Sequence, residues 1–107
     1  MQEYFKKPAL TKGNVYRVEK YPNGEIEEAE YLGLSETKRE HVFKKRGKQN
    51  EFIIARDHWI MELDGIVTYK PISSFSMMHL TKDRIQIFPE SERSRLVKIL
   101  ADVGAQL

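Results

Sequence analysis

The sequence of 107 residues contains no cysteine. It therefore offers no disulfide framework, no thiolate metal ligands and no cysteine nucleophile, and we expect a reducing compartment. The chain also lacks the run of about 20 apolar residues that spans a bilayer and the apolar N-terminal segment of a signal peptide. These absences predict a cytoplasmic protein without membrane association.

The signatures of several enzyme classes are missing as well. The six glycines are dispersed and form neither a phosphate loop nor a dinucleotide fingerprint. Ser73, Ser74 and Ser76 lie together but lack a nucleophile-elbow motif. Asp57, His58, Glu62 and Asp64 form the best candidate metal cluster, yet on a strand His58 and Glu62 would lie about 13 Å apart, at about 3.3 Å per residue. We therefore expect no enzymatic activity, metal or cofactor.

Turn signals divide the chain into short segments rich in β-branched and aromatic residues. With 40% hydrophobic and 32% charged residues, the composition is that of an ordinary globular protein, and the length fits a single domain over residues 1–107. The signals are Pro22-Asn23-Gly24, Gly33, residues 46–50, Asp64-Gly65 and Pro71. They predict a meander of short antiparallel strands over residues 14–88, preceded by an extended N-terminal arm over residues 1–12.

Three hairpins are predicted within this meander. Residues 15–21 and 25–34 flank the first turn, although helix-forming residues in 25–34 leave a helix as the alternative there. Residues 42–43 and 52–55 flank the second turn, and a polar loop at 35–40 precedes them. Residues 58–63 and 66–69 flank Asp64-Gly65, and residues 85–88 form one last strand. Trp59, Met61 and Leu63 alternate with their neighbours, so we expect Trp59 to anchor the core.

The C-terminal segment has a different periodicity. Pro89 and the glutamates that follow favour a helix start, and apolar residues then recur every three or four positions up to Leu107. We predict an amphipathic helix over residues 90–103. The fold is then mainly β, α+β by content: a small curled antiparallel sheet, or an SH3-like or OB-like barrel, with one C-terminal helix. That helix must bury its apolar stripe on the sheet or on a second subunit.

The formal net charge of +2 conceals two runs of opposite sign. The acidic run comprises Glu25, Glu27, Glu28 and Glu30. The basic run comprises Lys38, Arg39, Lys44, Lys45, Arg46 and Lys48. Such asymmetry predicts an anionic partner for the basic run. The alternative is that the two runs face each other across adjacent strands or are simply solvated.

Phe43 lies inside the basic run. Small barrels that bind single strands combine basic side chains, which neutralise phosphates, with an exposed aromatic ring that stacks on a base. A large aromatic residue in a small domain more often belongs to the core, so Phe43 has two interpretations. We take Phe43 together with the six residues of the basic run as the candidate site for an anionic partner.

The sequence thus predicts a non-catalytic binding or regulatory module whose basic hairpin contacts an anionic partner, with nucleic acid as the first candidate. The alternative is a protein-interaction or homo-oligomeric module. In that case the acidic run of one copy meets the basic run of another, or the C-terminal helix packs between subunits. An active site assembled from scattered polar residues is a third hypothesis.

Overall fold

The computed structural model describes residues 6–47, 51–71 and 85–105. Within them, five strands form a closed barrel and one helix follows at the C-terminal end. The elements are β1 (Val15–Lys20), β2 (Ile26–Leu34), β3 (Glu40–Lys45), β4 (Phe52–Leu63), β5 (Ile66–Pro71) and α1 (Glu90–Asp102). The predicted fold class, a mainly β barrel with one C-terminal helix, is confirmed.

The barrel is a meander closed on itself. Each strand pairs antiparallel with the next in sequence, and β1 pairs parallel with β5 from Arg17↔Ile66 to Lys20↔Tyr69. The order contains no Greek-key crossover. Because each of these strands has a neighbour on both sides, the described barrel has no free edge.

One of the predicted turns has the geometry that its residues favour, and another is closed by a hydrogen bond. Asp64 and Gly65 both have positive φ, at 53° and 79°, as a type I′ hairpin turn requires. At the first turn, the Gly24 N–H donates a hydrogen bond to the Lys20 carbonyl at 2.7 Å. The segment with two interpretations, residues 25–34, is a strand, since β2 covers Ile26–Leu34.

Residues 85–88 are not the last strand that the sequence predicts. The Phe88 N–H donates to the Ile85 carbonyl at 3.1 Å, which makes a turn leading into the helix. Ile85 and Phe88 are buried whereas Ile87 is 77% exposed, so burial follows a three-residue rather than a two-residue period. The serine cluster, Ser73, Ser74 and Ser76, lies outside the described residues.

The core extends from the barrel interior to the helix. Val42, Phe43, Ile53 and Ile54 are all fully buried although neighbours on a strand face opposite ways, so β3 and the first half of β4 are covered on both faces. One face lines the barrel interior, and α1 packs on the other with Leu96, Ile99 and Leu100. The helix therefore buries its apolar stripe on its own barrel.

Gly33 in β2 marks the closest approach of the helix end to the barrel. A Cβ atom at Gly33 would lie 3.3 Å from Cγ1 of Val103, and its φ of 137° disfavours other residues. Beyond the helix end at Asp102, the Ala105 N–H donates to the Leu100 carbonyl at 2.8 Å and the Gly104 N–H donates to the Ala101 carbonyl at 3.0 Å. This is a Schellman cap. No helix in the described part of the chain is long and apolar enough to cross a membrane.

Candidate functional site

The basic run does not form one patch. Lys38 and Arg39 precede β3, whereas Lys44 and Lys45 end it and Arg46 lies in the turn that follows. About 17 Å of strand separates Arg39 from Lys44, at about 3.4 Å per residue. The two groups therefore lie at opposite ends of β3. The sixth basic residue, Lys48, lies outside the described residues.

At the hairpin end, acidic side chains already hold the basic ones. The Nζ atom of Lys45 is 2.7 Å from Oε1 of Glu27 and 2.9 Å from Oε1 of Glu51. Burial lowers the pKa of Lys45, but hydrogen bonds and charge attraction from these two carboxylates outweigh it, so its pKa lies above the usual value. Lys45 is 7% exposed and cannot serve as a surface contact.

The basic residues on either side of Lys45 also lie opposite acidic residues of β2. Arg46 Nη1 lies 3.2 Å from Oε1 of Glu28, and Lys44 is paired in register with Glu30. The acidic run and the hairpin part of the basic run thus face each other across β2 and β3. This is the alternative to an anionic partner that the sequence leaves open. The side chains around Gly47 offer an external anion less positive charge than their number indicates.

Phe43 lies in the core and is therefore not a binding residue of the candidate site. Its side chain is 0% exposed, and its ring centroid is 5.2 Å from that of Tyr31. A fully buried ring cannot stack on a base. The physical reason is that a small barrel has few large apolar side chains with which to fill its interior.

The other end of β3 borders a cavity of about 750 Å³, which we call the helix groove. The loop before β3, the middle of β4 and one face of α1 enclose it. Its cationic lining residues are Lys38, Arg39, Arg56, Arg95 and Lys98, and its carboxylates are Glu40, Asp57 and Asp102. Lys38 and Arg39, two members of the predicted site, therefore line the same cavity as three cations outside that site, Arg56, Arg95 and Lys98.

The loop that carries Lys38 and Arg39 is held by its own hydrogen bonds. The buried Ser35 hydroxyl donates to Oε1 of Glu40 at 2.7 Å, and the Ser35 N–H donates to the Glu40 carbonyl at 2.8 Å. Lys38 has a φ of 64°, an uncommon conformation for a residue other than glycine, and its N–H donates to the Ser35 carbonyl at 2.9 Å. The loop thus presents two adjacent cations in a fixed turn.

The helix is tied to the same loop. Asp102 accepts hydrogen bonds from Lys98 Nζ at 2.9 Å and from the Glu36 N–H at 3.0 Å, and Lys98 also lies 3.6 Å from a Glu36 carboxylate oxygen. The hydrogen bond from Lys98, then that from Glu36, lowers the pKa of Asp102. These contacts set the distance between the two walls of the groove.

Asp57 ends a chain of hydrogen bonds that begins inside the barrel. The Tyr31 hydroxyl lies 2.8 Å from Nδ1 of His41, and Nε2 of His41 lies 2.8 Å from Oδ1 of Asp57. The hydrogen bond with His41, then one from Lys7, lowers the pKa of Asp57. The order of hydroxyl, imidazole and carboxylate is that of a catalytic triad.

Tyr31 does not have the properties of a nucleophile. Its side chain is buried, and desolvation, followed by the charge of Asp57, raises the pKa of Tyr31 to about 12. A buried and protonated hydroxyl reaches no substrate. The chain instead joins β2, β3 and β4 beneath the groove. In the described ranges, no group of three or more His, Asp or Glu residues could hold a metal ion.

Trp59 does not anchor the core as the sequence predicts. From Ala55↔Pro71 to Ile60↔Tyr69, the chain advances five positions in β4 but only two in β5. Three extra residues form a bulge and reverse the alternation, so Ile60 is buried and Trp59 faces outward, half-buried. The polar triplet Arg56-Asp57-His58 is the only sequence signal of this bulge.

Trp59 contacts two other outward-facing side chains. Its ring centroid lies 4.7 Å from that of Tyr21, with 52° between the planes. The Nζ atom of Lys70 lies 4.7 Å from the Trp59 centroid and 5.5 Å from the Tyr21 centroid. These rings border a second cavity, of about 560 Å³, which we call the tryptophan groove. The sequence does not predict this groove, because the bulge that turns Trp59 outward depends on the pairing of β4 with β5.

Comparison of the chain with protein-family models, with curated proteins and with solved structures finds no significant match.

Proposed function

We propose that this chain is a non-catalytic binding module that holds an anionic partner in its helix groove, with nucleic acid as the first candidate. One observation carries the proposal: five cationic side chains from a loop, a strand and a helix line one cavity. Clustered cations of this kind raise the local concentration of anions and neutralise phosphates.

The state of the carboxylates supports this assignment. Glu40 accepts hydrogen bonds from the Ser35 and Thr37 hydroxyls, while Asp57 and Asp102 are engaged as described above. Neither Lys38 nor Arg39 makes an ion pair within the described part of the chain. Their charge is therefore directed at solvent. The cations at the hairpin, Lys45 and Arg46, and those on the helix, Lys98 and Arg95, instead pair with carboxylates.

The lining also suggests how an anion would be recognised. Apart from the imidazole of His58, no aromatic ring is found among the described residues of the helix groove. Contacts to phosphate oxygens would thus dominate over stacking on bases. Such contacts fix position but carry no sequence information, so we expect binding that is weakly sequence-dependent and strongly salt-dependent.

Two matched triple variants test the proposal. Lys38→Gln, Arg39→Gln and Arg95→Gln remove three charges from the groove, and Lys12→Gln, Lys44→Gln and Arg46→Gln remove three elsewhere. Binding to a labelled single-stranded 20-mer is measured by fluorescence anisotropy at several salt concentrations from about 50 mM upward. The groove variant should lose at least about tenfold in affinity, with a slope of log K against log salt smaller by about 0.7 per lost contact.

The opposite result would place the anion-binding site at the basic hairpin around Gly47. If the control variant loses affinity and the groove variant retains it, the basic hairpin binds the anion. If the parent protein binds neither single-stranded nor duplex oligonucleotides at the lowest salt concentration, nucleic acid is not the partner.

A further inference from the structure

The outer face of the barrel is apolar where β4, β5 and β1 meet. Ile60, Val67 and Tyr69 face inward and are about 1% exposed. The residues that alternate with them on β4 and β5, Trp59, Met61, Leu63 and Ile66, therefore face outward. The outer face of an antiparallel sheet is ordinarily polar when water covers it. Helix α1 packs on the barrel at β3, whereas these residues lie beyond the bulge of β4 and line an open groove.

Aromatic rings and proline form one end of this groove. Tyr21 and Pro22 follow β1 and lie beside Trp59, and the Tyr21 side chain is 45% exposed. Met61, Leu63 and Ile66 continue the apolar surface along the strands. The groove volume lies within the range of about 300 to 1,000 Å³ that is typical of ligand sites.

A cation already occupies the aromatic end. The Lys70 ammonium lies over both the Trp59 and the Tyr21 ring, in the arrangement of a cation–π contact. This contact shows that the ring pair can hold an alkylammonium group. Lys70 is exposed, so the basic side chain of a ligand could displace it.

Apart from Lys70 over the rings, the charged residues lining the tryptophan groove in the described structure are both acidic, Glu19 and Asp64. Carboxylates beside an apolar surface attract a basic ligand and repel phosphate. The charge pattern is thus opposite to that of the helix groove and argues against a nucleic acid on the Trp59 ring.

We propose that the tryptophan groove binds an extended, proline-containing segment of a partner protein that carries a lysine or arginine. Because the described barrel has no free edge, a peptide cannot add as a strand and must be recognised through its side chains. Proline-rich segments suit such a surface, since they are extended before binding and dock on aromatic-lined grooves. The basic side chain takes the place of Lys70, and the apolar side chains lie on Met61, Leu63 and Ile66. This site does not depend on the helix groove.

Selection from an unbiased library identifies the ligand class. A random dodecapeptide library is displayed on phage and selected on the full chain, and enriched peptides without tryptophan are synthesised. Trp59 is the only tryptophan in the chain, so its emission reports binding at this groove directly. We expect enriched peptides that contain proline and at least one basic residue, and a saturable change in Trp59 emission.

Four variants then locate the contacts. Tyr21→Ser should lower the peptide affinity at least about fivefold, and Glu19→Gln combined with Asp64→Asn should lower it by a similar factor. Lys70→Ala should raise it by about fivefold, the equivalent of one exposed cation–π contact of about 1 kcal/mol. The triple variant Lys38→Gln, Arg39→Gln and Arg95→Gln should bind the peptide as the parent does. Thermal unfolding of each variant verifies that the barrel is intact.

Several results would overturn the proposal. They are an absence of enrichment over the bare support, enrichment of peptides without proline or without basic residues, or an affinity unchanged by both Tyr21→Ser and the double carboxylate variant. A saturable response of Trp59 to oligothymidine, with no response to any selected peptide, would instead assign the ring pair to nucleic acid. If Tyr21→Ser unfolds the chain, the carboxylate variant decides alone.

Discussion

The Nζ atom of Lys45 lies 2.7 Å from Oε1 of Glu27, across the pairing of β2 with β3. A carboxylate oxygen of Glu51 lies 2.9 Å from the same nitrogen. A lysine that the sequence assigns to a surface patch is therefore the centre of a nearly buried ion cluster. Its role in this structure is to neutralise two carboxylates beside the barrel core.

Lys45→Ala should destabilise the fold much more than Lys44→Ala. Removal of Lys45 takes away the ammonium group that lies between the Glu27 and Glu51 carboxylates, and a broken buried pair costs about 3 to 5 kcal/mol. We expect the lower end, about 3 kcal/mol, because both carboxylates keep some contact with water. Lys44→Ala should cost about 0.5 kcal/mol or less, as for most surface changes. Urea unfolding measures both, and equal losses would contradict the assignment.

Trp59 and Ile60 offer a second pair of adjacent residues. Ile60 is fully buried, so Ile60→Ala should cost about 3 kcal/mol, within the range for truncated core residues. Trp59→Ala removes a half-buried ring from the outer surface and should cost about 1 kcal/mol, as for an average substitution. If Trp59→Ala proved the more damaging in chemical denaturation, Trp59 would lie in the core and the bulge would be misplaced.

Gly33→Ala tests the contact between β2 and the end of the helix. Its Cβ would meet Val103 at 3.3 Å, and its φ is positive. Gly13 also has positive φ, but a Cβ there meets nothing within 4 Å. Gly13→Ala should therefore show only the backbone cost of about 1 kcal/mol, and Gly33→Ala should exceed it by about 1 kcal/mol or more. Thermal melting measures the loss of stability in both variants. Equal decreases in Tm would mean that Val103 moves aside at no cost, which would contradict the prediction.

The raised pKa of Tyr31 predicts a loss of stability in alkali. The folded state keeps this proton up to pH about 12, whereas the unfolded chain releases it near the ordinary tyrosine pKa of about 10. The folded state thus binds more protons in this window, and stability falls as pH rises from about 10 to about 12. Tyr31→Phe should make this fall of the unfolding free energy with pH less steep, by at most about 1.4 kcal/mol per pH unit. An unchanged slope would contradict the burial of this hydroxyl.

Local signals predicted most of the architecture. Asp64-Gly65 determines a hairpin through its own backbone preference, and the spacing of Leu96, Ile99 and Leu100 defines a helix without reference to the rest of the chain. The burial of Lys45 could not be predicted in the same way, because Glu27 lies 18 positions earlier and meets it only after β2 pairs with β3. The helix groove is harder still, since its walls come from three separate segments.

The prediction that Trp59 lies in the core is wrong for another reason. Its alternation with Met61 and Leu63 is real, and the three share a face as predicted. Alternation alone does not say which face is buried, and on this chain the flanking Ile60 supplies the core instead. Only the pairing partners of β4 contain that information.

The turn at Asp64-Gly65 therefore controls more than the direction of the chain. Because the loop has two residues, Leu63 must pair with Ile66, and every earlier pair up to Ile60↔Tyr69 is fixed with it. A slip of β4 by one position against β5 would turn each of its side chains to the opposite face, so that Trp59, Met61 and Leu63 pointed into the barrel. The two-residue turn and the burial of Ile60, Val67 and Tyr69 together oppose such a slip. The tryptophan groove thus depends on the register that this turn sets as well as on the aromatic residues themselves.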